Sequence, residues 1–497
     1  MCCLPVLAGK QLEDLMASRS VLPEFPPILS LVLWWAVTSI SANASTPVVA
    51  VSSPANNSQF SSPVHYVASA TSPQCPRGIS AMRIYIAPHV AAYTTESNSL
   101  DTLLTLSPGT YKTVVQAWDH CGGVGKTSVN MTVAATGLKP ARFLYVADDS
   151  NNRVWSFTVD PSTGIPRATG QGSVATNSSY RLASDKGGYR LYVTNAAPSP
   201  YGGVFAYFVD RKNGYLYPVP GSPFSLNTSP GAVAVHPSGK FVFIGTLSLQ
   251  PSDGIQILRV NPDGSLALVN SIPTPAKSTP DSIVMDPWGQ YLYVTSFGGS
   301  SIDAFAIDTI SGALTPLPGS PYTISTPGCI NPQTSGITDL NGRFLYIADA
   351  GSSETSGYAI EGKTGTLTEL AGSPFPDDGG CPGGTASLRG LTTEPTGRFL
   401  YALDGSNLFH ISIYSINAGN GALTHLKDTR PISNGFVYGE LRTDPSGKFL
   451  YARTSAAGGD EVIGFSINPV SGDLTILPGS PFPIGVNVAA FDFAVTP

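Results

Sequence analysis

Charge is scarce in this sequence. Only 12% of its 497 residues are Asp, Glu, Lys or Arg, about half the usual share of a soluble domain. The 27 basic residues are outnumbered by 33 acidic ones, and the net charge is -6. This balance excludes a nucleic-acid-binding surface, which needs a field of Lys and Arg. The Ala-, Glu-, Lys- and Leu-rich heptads of a long coiled coil are also missing.

Glycine and proline are abundant instead. The sequence has 52 Gly and 43 Pro, and 42% of its residues are hydrophobic. That apolar share is enough to bury a core, so we do not expect disorder. Many turn residues, many apolar residues and little charge together favour short strands joined by tight turns. We therefore expect an all-β fold.

The N-terminus has the pattern of a targeting segment. Residues 27–42 form an apolar run, PILSLVLWWAVTSISA, and Ala42-Asn43-Ala44 is a small-x-small cleavage pattern. We predict that residues 1–44 are a secretory signal peptide, with Met16 as a better start than Met1. The alternative is an uncleaved membrane anchor, although the run is shorter than the roughly 20 residues of a spanning helix. After cleavage we expect a chain without a membrane span, in the periplasm, at the cell surface or secreted.

Four cysteines remain once Cys2 and Cys3 of the leader are set aside. An even number of cysteines in an exported chain favours disulfides. A zinc site is the alternative, but no Cys-x-x-Cys or paired His spacing supports it. The four are Cys75, Cys121, Cys329 and Cys381.

Residues 45–137 show short runs with the period of two that half-buried strands require. We predict a β-sandwich here, with Cys75 and Cys121 bridging two loop ends. The stretch from Gly109-Thr110-Tyr111 to Trp118-Asp119 resembles the penultimate strand of bacterial immunoglobulin-like modules. The Gly-rich segment 122–127 looks like part of a phosphate-binding loop, but His120 stands where that motif needs Gly. We interpret it as a hairpin turn.

From about residue 138 a phrase built on Leu-Tyr-Val repeats seven times. Its copies begin 47, 51, 50, 53, 55 and 50 residues apart, and a four-stranded propeller blade takes about 40–50 residues. We therefore predict a seven-bladed β-propeller over 138–497. The copies begin at Phe143, Arg190, Phe241, Tyr291, Phe344, Phe399 and Phe449.

The last residues match the first strand of a repeat, and the first repeat lacks that strand. We expect residues 489–497 to complete the first blade and close the ring. Cys329 and Cys381 both precede the first strands of adjacent blades. A disulfide between them is therefore expected, with two free buried thiols as the alternative.

The repeat unit resembles the seven-bladed lactonase-type propellers. It reads Pro-x-Gly-(Lys/Arg)-Phe-Leu-Tyr-Val, then Ala-Phe-x-Ile-Asp, then Thr-Gly-x-Leu-Thr. This family includes 6-phosphogluconolactonase-like proteins and the related Tyr-Val-Thr-Asn repeats of surface proteins. The resemblance implies the propeller fold and, in the catalytic members, lactone ring opening.

Candidate site residues lie where the first strand of each repeat begins. Catalytic relatives tend to carry a Gly-Pro-Arg-His signature there, and this sequence has no His at those positions. It has Asp281, Arg389 and Glu440, which we take as candidate catalytic residues, and Arg442 as a candidate binding residue. The alternative is a ring of solvated or paired charges around an inert channel.

The histidines give little support for catalysis. We interpret His236 as a turn residue, and His410 and His425 have no obvious partners in the sequence. Neither a Gly-x-Ser-x-Gly elbow nor a His-Glu-x-x-His helix is present. No metal or cofactor is expected.

Two functions follow. The first is a monomeric, exported binding scaffold for a surface, glycan or protein ligand. The alternative is a lactonase-like hydrolase that opens a small sugar lactone or another lactone in the propeller channel. The fold alone does not decide between them.

Overall fold

The computed structural model describes residues 46–497 with gaps at 62–63, 87–89, 105, 107–108, 135–139, 198–200, 248–253, 274–278, 298–300, 325–333, 350–353, 377–387, 405–409, 430–439, 457–458 and 486–489. The regular elements in this part of the chain are all β-strands. The all-β class is therefore confirmed. The same residues contain no helix long and apolar enough to cross a membrane. The predicted leader lies outside the described residues.

The first eight strands form two sheets. One has the strand order β1-β3-β6 and the other β2-β8-β7-β4-β5. The pairing of β2 with β8 is parallel, and the other pairs are antiparallel. The strands are β1 (Val48–Ser53), β2 (Ser58–Ser61), β3 (Val64–Thr71), β4 (Ile79–Ile86), β5 (Val90–Thr95), β6 (Ser99–Leu104), β7 (Gly109–Asp119) and β8 (Val124–Ala134).

The two sheets share one hydrophobic core. Tyr66 of β3, Met82 and Ile84 of β4, and Val115 of β7 are fully buried in it. The Tyr66 hydroxyl lies 2.9 Å from Thr113 Oγ1, so the polar end of this core tyrosine has a partner. This packing of sheet on sheet is a β-sandwich. Its immunoglobulin-like identity stays a prediction.

Seven further sheets follow, and each is a blade of four antiparallel strands, with a short fifth strand in four of them. The seven-bladed propeller is thereby confirmed. Blade 1 has β40 (Ala490–Thr496), β9 (Phe143–Asp148), β10 (Arg153–Val159) and β11 (Pro166–Ala175). Blade 2 has β12 (Ser179–Ser184), β13 (Arg190–Asn195), β14 (Gly203–Val209), β15 (Leu216–Pro218) and β16 (Phe224–Ser225). Blade 3 has β17 (Pro230–Val235), β18 (Phe241–Thr246), β19 (Ile255–Val260) and β20 (Leu266–Ile272).

The remaining four blades follow the same order along the chain. Blade 4 has β21 (Thr279–Met285), β22 (Tyr291–Phe297), β23 (Ser301–Ile307), β24 (Leu314–Pro316) and β25 (Tyr322–Thr323). Blade 5 has β26 (Thr334–Thr338), β27 (Phe344–Asp349), β28 (Glu354–Ile360), β29 (Leu367–Glu369) and β30 (Phe375–Pro376). Blade 6 has β31 (Leu388–Thr393), β32 (Phe399–Asp404), β33 (His410–Ile416) and β34 (Leu423–Asp428). Blade 7 has β35 (Leu441–Thr443), β36 (Phe449–Ala456), β37 (Gly459–Ile467), β38 (Leu474–Ile476) and β39 (Phe482–Pro483).

The C-terminal strand joins the two ends of the ring. Strand β40 pairs with β9 of the first blade, with Phe493 opposite Val146 and Val495 opposite Leu144. It therefore supplies the inner strand that the first repeat lacks. Blade 1 therefore has the same order of four antiparallel strands as the other six blades, and the ring is closed.

Each interface between neighbouring blades has its own hydrophobic core. The core between blades 7 and 1 contains Tyr451 and Phe449 on one side and Val146 and Phe493 on the other. Apolar packing therefore continues around the whole ring. The stability of the propeller is distributed over seven equivalent contacts, because each blade buries its faces against both neighbours.

The tyrosine of the Leu-Tyr-Val phrase ties each blade to the next. In five blades its hydroxyl donates to a glycine carbonyl oxygen in a turn of the following blade. These glycines have positive φ, which other residues rarely adopt. At Gly164 a Cβ atom would also collide with the ring of Phe449. The pairs are Tyr145–Gly214 (3.0 Å), Tyr293–Gly365 (2.8 Å), Tyr346–Gly421 (2.8 Å), Tyr401–Gly472 (3.0 Å) and Tyr451–Gly164 (2.7 Å).

Candidate functional site

A cavity of about 270 Å³ lies at the centre of the propeller. The inner strands of all seven blades, or the residues directly before them, line it, as expected where strands converge on a ring axis. Charged side chains come from four blades, and the others contribute small, hydroxyl or aliphatic groups. The charged residues are Arg181, Asp281, Glu440, Arg442 and Asp492.

Arg181 spans two of the carboxylates. Its Nη1 lies 2.6 Å from Glu440 Oε1, and its Nη2 lies 3.5 Å from Asp281 Oδ1. Arg181 belongs to blade 2, Glu440 precedes the inner strand of blade 7, and Asp281 belongs to blade 4. One guanidinium group therefore connects carboxylates from two non-adjacent blades.

Arg442 binds the other side of Glu440. Its Nη1 lies 2.6 Å from Glu440 Oε2, and its Nη2 lies 3.2 Å from Asp492 Oδ1. Both oxygens of Glu440 are thus engaged by arginines at short distance. Such charge-assisted hydrogen bonds are stronger than neutral ones.

Backbone donors hold Asp492 in place. The Leu182 amide donates to Asp492 Oδ2 at 2.9 Å, and the Phe493 amide donates to Oδ1 at 2.8 Å. The Asp492 side chain is only 3% exposed. Strand β40 therefore brings a buried carboxylate to the site in the same step that closes the ring.

Three of these residues occupy one position of the repeat. Arg181, Glu440 and Asp492 each directly precede the inner-strand residue that pairs with the third residue of the Leu-Tyr-Val phrase. The blades that carry them are 2, 7 and 1, which are consecutive around the closed ring. The other four blades carry Ala232, Ser282, Ser335 and Gly390 at that position. Four of the five charged lining residues therefore lie on one arc of the channel, and Asp281 of blade 4 lies outside it.

Burial and charge act in opposite directions on the ionisable groups. Burial alone would raise the pKa of Glu440, but Arg442 and Arg181 hold that pKa below its usual range. Burial raises the pKa of Asp492, and the Glu440 charge adds to this effect, while Arg442 opposes it. Burial alone would lower the pKa of Arg181, but Glu440, Asp492 and Asp281 raise it. Glu440 and Arg181 therefore stay charged, and Asp492 is the more readily protonated carboxylate.

A second ion pair lies close to the cavity. Arg453 Nη1 is 2.6 Å from Asp460 Oδ2, and both side chains are only 5% exposed. The Arg453 amide donates to the Glu440 carbonyl oxygen at 3.5 Å. On the other side, the guanidinium of Arg181 lies 5.2 Å from the centre of the Tyr180 ring, within cation–π range. These neighbours restrain the backbone of Glu440 and the side chain of Arg181.

The sequence-predicted residues are partly assembled here. Asp281, Glu440 and Arg442 all line the cavity. Arg389 lies on β31 at a β-bulge, between the paired residues Leu388 and Gly390. Its side chain does not belong to the described part of the structure. Sequence reasoning missed Arg181 and Asp492. Aligning the repeats on the turn would have found both, because they share the position of Glu440.

The cysteines and histidines can also be placed. Cys75 and Cys121 form a disulfide between the β3–β4 and β7–β8 connections, with Cα atoms 5.8 Å apart. Cys329 and Cys381 lie outside the described residues. His236 lies in a turn as expected, with Nε2 at 2.9 Å from the Gly289 carbonyl oxygen.

The expectation that His410 and His425 lack partners is wrong. His425 Nε2 lies 2.8 Å from Asp428 Oδ1, and His410 Nε2 lies 3.8 Å from both Asp404 and Asp428. A spacing of three residues on a strand that contains a bulge brings His425 and Asp428 together. These groups lie in blade 6 at the ends of β32, β33 and β34, apart from the residues that line the cavity.

Fold and site together define a seven-bladed β-propeller with an ionisable cluster in its central cavity. The sequence profile of the lactonase, 7-bladed β-propeller family matches residues 212–332 and 337–481, and the chain belongs to that family. No curated protein sequence matches it.

Solved structures agree with the fold. The periplasmic gluconolactonase of Pseudomonas aeruginosa is 20% identical, with 71% of this chain and 99% of that chain covered and a TM-score of 0.60. A putative 6-phosphogluconolactonase from Bacteroides fragilis is 17% identical, with 73% and 99% covered and a TM-score of 0.59. One from Bacteroides uniformis is 18% identical, with 72% and 100% covered and a TM-score of 0.59. At these identities the similarity establishes the fold.

Proposed function

We propose that this protein hydrolyses a lactone in the central cavity of the propeller. The observation that carries the proposal is the cluster of Arg181, Asp281, Glu440 and Arg442 around one cavity. Membership of the lactonase propeller family and the names of the structural relatives support it. They favour the hydrolase over the binding scaffold that the sequence alone put first.

Lactone hydrolysis needs a base for water and a donor for the developing oxyanion. In the proposed reaction a carboxylate takes a proton from water, and the water oxygen attacks the lactone carbonyl carbon. The carbonyl oxygen gains negative charge, which an arginine guanidinium stabilises. The C–O bond of the ring then breaks, and the ring oxygen receives the proton. The product is one hydroxy acid, so the atoms of lactone and water are fully accounted for.

Asp281 is the carboxylate that fits the base best. Glu440 has both oxygens bound by arginines at 2.6 Å, and these arginines lower its pKa, which makes it a weak base. Asp492 is 3% exposed and bound by two backbone amides. Asp281 is 14% exposed, lines the cavity and holds Arg181 at the longer distance of 3.5 Å.

The arginines fit the electrophilic role. Arg442 is the most exposed of the charged residues that line the cavity, at 35% of its side chain. Arg181 spans the cavity between Glu440 and Asp281. Their short ion pairs fix both guanidinium groups before substrate arrives. Preorganised donors of this kind stabilise an oxyanion without reorganisation during the reaction.

We further propose that the protein acts outside the cytoplasm. The Cys75–Cys121 disulfide supports an oxidising compartment, and one structural relative is named as periplasmic. The predicted signal peptide over residues 1–44 is consistent with this location. We infer that the N-terminal sandwich is an immunoglobulin-like module attached to the enzyme.

A lactone panel tests the activity directly. The purified full chain is mixed with five- and six-membered lactones, with and without sugar hydroxyl groups, and proton release is followed at fixed pH. We expect turnover well above spontaneous hydrolysis for at least one six-membered sugar lactone. No acceleration on any member of the panel would favour the binding scaffold.

A further inference from the structure

The described charges of the cavity sum to a negative value. Arg181 and Arg442 contribute two positive charges, whereas Asp281, Glu440 and Asp492 contribute three negative ones. Asp492 is the carboxylate whose protonation would bring this sum to zero. In either protonation state, the described lining residues do not form the strongly cationic surface that recognition of a phosphate dianion requires.

Both described arginines of the cavity already hold carboxylates. Arg181 binds Glu440 at 2.6 Å and Asp281 at 3.5 Å, and Arg442 binds Glu440 at 2.6 Å and Asp492 at 3.2 Å. A phosphate group would have to draw a guanidinium away from Glu440 or Asp492. That step would leave a buried carboxylate without its counter-charge, which is strongly unfavourable.

The rest of the lining suits an uncharged, hydroxylated molecule. Ser282 and Ser335 bring hydroxyl groups to the lining. The Ser282 hydroxyl accepts a hydrogen bond from the Gly336 amide at 3.3 Å, and it can still donate one to a ligand. Thr392 also lines the cavity, but its hydroxyl is bonded to Thr443 at 3.1 Å. Ile283 and Ile337 bring apolar surface beside them. Hydroxyl groups and aliphatic surface in one cavity suit the O–H and C–H groups of a sugar ring.

We infer that the cavity selects uncharged lactones that carry hydroxyl groups, such as an aldonolactone, and rejects their phosphate esters. This specificity rests on the proposed lactone hydrolysis. The proposed substrate preference differs from the activity in the titles of two structural relatives, which are named as putative 6-phosphogluconolactonases.

Binding and hydrolysis are measured separately. D-gluconolactam, a stable uncharged analogue in which NH replaces the ring oxygen, and its 6-phosphate are titrated into the full chain by calorimetry. We expect the phosphate ester to bind at least about 100-fold more weakly, because its phosphate must either draw an arginine away from a buried carboxylate or lie beside that carboxylate. Equal or tighter binding of the phosphate ester, or no binding of either compound, would overturn the inference.

Variants that remove a charge test the electrostatic explanation. Glu440→Gln and Asp281→Asn each remove one negative charge, and each should reduce the ratio of the two analogues' dissociation constants about tenfold. Glu369→Gln removes a charge from an exposed residue of strand β29 in blade 5 and should leave the affinity ratio of the two analogues unchanged. If neither Glu440→Gln nor Asp281→Asn alters the affinity ratio of the two analogues, the electrostatic explanation is wrong.

Hydrolysis of D-glucono-1,5-lactone and its 6-phosphate completes the experiment. Faster turnover of the uncharged lactone supports both proposals, and preferred turnover of the phosphate ester overturns the specificity alone. Preferential binding of the uncharged lactam without any turnover would count against catalysis and leave the specificity standing.

Discussion

The Tyr451 hydroxyl donates a 2.7 Å hydrogen bond to the Gly164 carbonyl oxygen, across the seam between the last blade and the first. Four other blades repeat this contact with their neighbours. The tyrosine of the repeated Leu-Tyr-Val phrase is therefore a link between blades as well as a core residue. The repeat in the sequence reflects a requirement of the interface.

Removing one of these hydroxyl groups should destabilise the propeller. We expect Tyr451→Phe and Tyr401→Phe each to lower the free energy of unfolding by about 1–2 kcal/mol, because a buried carbonyl oxygen loses its donor. Chemical denaturation of the purified protein measures the effect.

Tyr192 is the matched control for the same experiment. It occupies the equivalent position in blade 2, but its buried hydroxyl has no hydrogen-bond partner among the described residues. Tyr192→Phe should therefore be neutral or slightly stabilising. Equal losses for all three variants would show that packing of the hydroxyl group, and not its hydrogen bond to the glycine carbonyl oxygen, determines the effect.

Sequence periodicity predicted the propeller well but the site less well. Seven copies of one phrase implied seven blades, and the likeness of residues 490–496 to an inner strand implied closure by the C-terminus. Arg181 and Asp492 share the repeat position of Glu440, but the contacts that they make could not be predicted because the partners lie far apart in the chain. The contact between the Leu182 amide and Asp492 joins residues 310 positions apart, and such proximity exists only once the ring is closed.

Asp303 of blade 4 should make stability depend on pH. It is 4% exposed, and burial raises its pKa to about 6. The pKa of Asp303 is higher in the folded state than in the unfolded state. Asp303 therefore makes its full contribution to stability below about pH 4, and this contribution is lost as the pH rises through about 6. Asp303→Asn should therefore stabilise the protein by about 1–3 kcal/mol at pH 7.5, and the advantage should shrink towards pH 4. Melting temperatures of both proteins across this range test the sign, and a constant difference would contradict it.

The Cys75–Cys121 disulfide should be a major source of stability for the sandwich. It joins residues 46 positions apart, and the chain-entropy model gives about 4 kcal/mol for a loop of that length. The Cys75→Ser/Cys121→Ser double variant should lower the thermal transition of the sandwich in calorimetry. The wild-type chain in reductant should show the same decrease. An unchanged transition in both cases would mean that the sandwich core is sufficient without the bridge.

Glu440 should stabilise the ring through its two arginines. Glu440→Gln leaves Arg181 and Arg442 without their shared carboxylate, and removal of one partner from a buried ion pair costs about 3–5 kcal/mol. Since the arginines lower the pKa of Glu440, its contribution is present above the unfolded pKa and is lost as the pH falls below it. Denaturation at pH 7 should therefore show a larger loss than denaturation near pH 4. A larger loss of stability at pH 4 than at pH 7 would contradict the stabilising role of the Glu440 ion pairs.

Asp281 should control the rate of lactone opening. If it takes the proton from water, Asp281→Asn should lower kcat by about 100-fold or more while KM changes little, because general-base catalysis contributes roughly 10²–10⁴-fold. Asp263→Asn is a suitable control, because Asp263 caps an exposed turn of blade 3 through Ser265 and lies outside the cavity. Initial rates on the best lactone of the panel, together with melting temperatures, separate catalysis from folding. Full activity in a folded Asp281→Asn variant would exclude Asp281 as the base and direct attention to Asp492, the remaining carboxylate whose pKa burial raises.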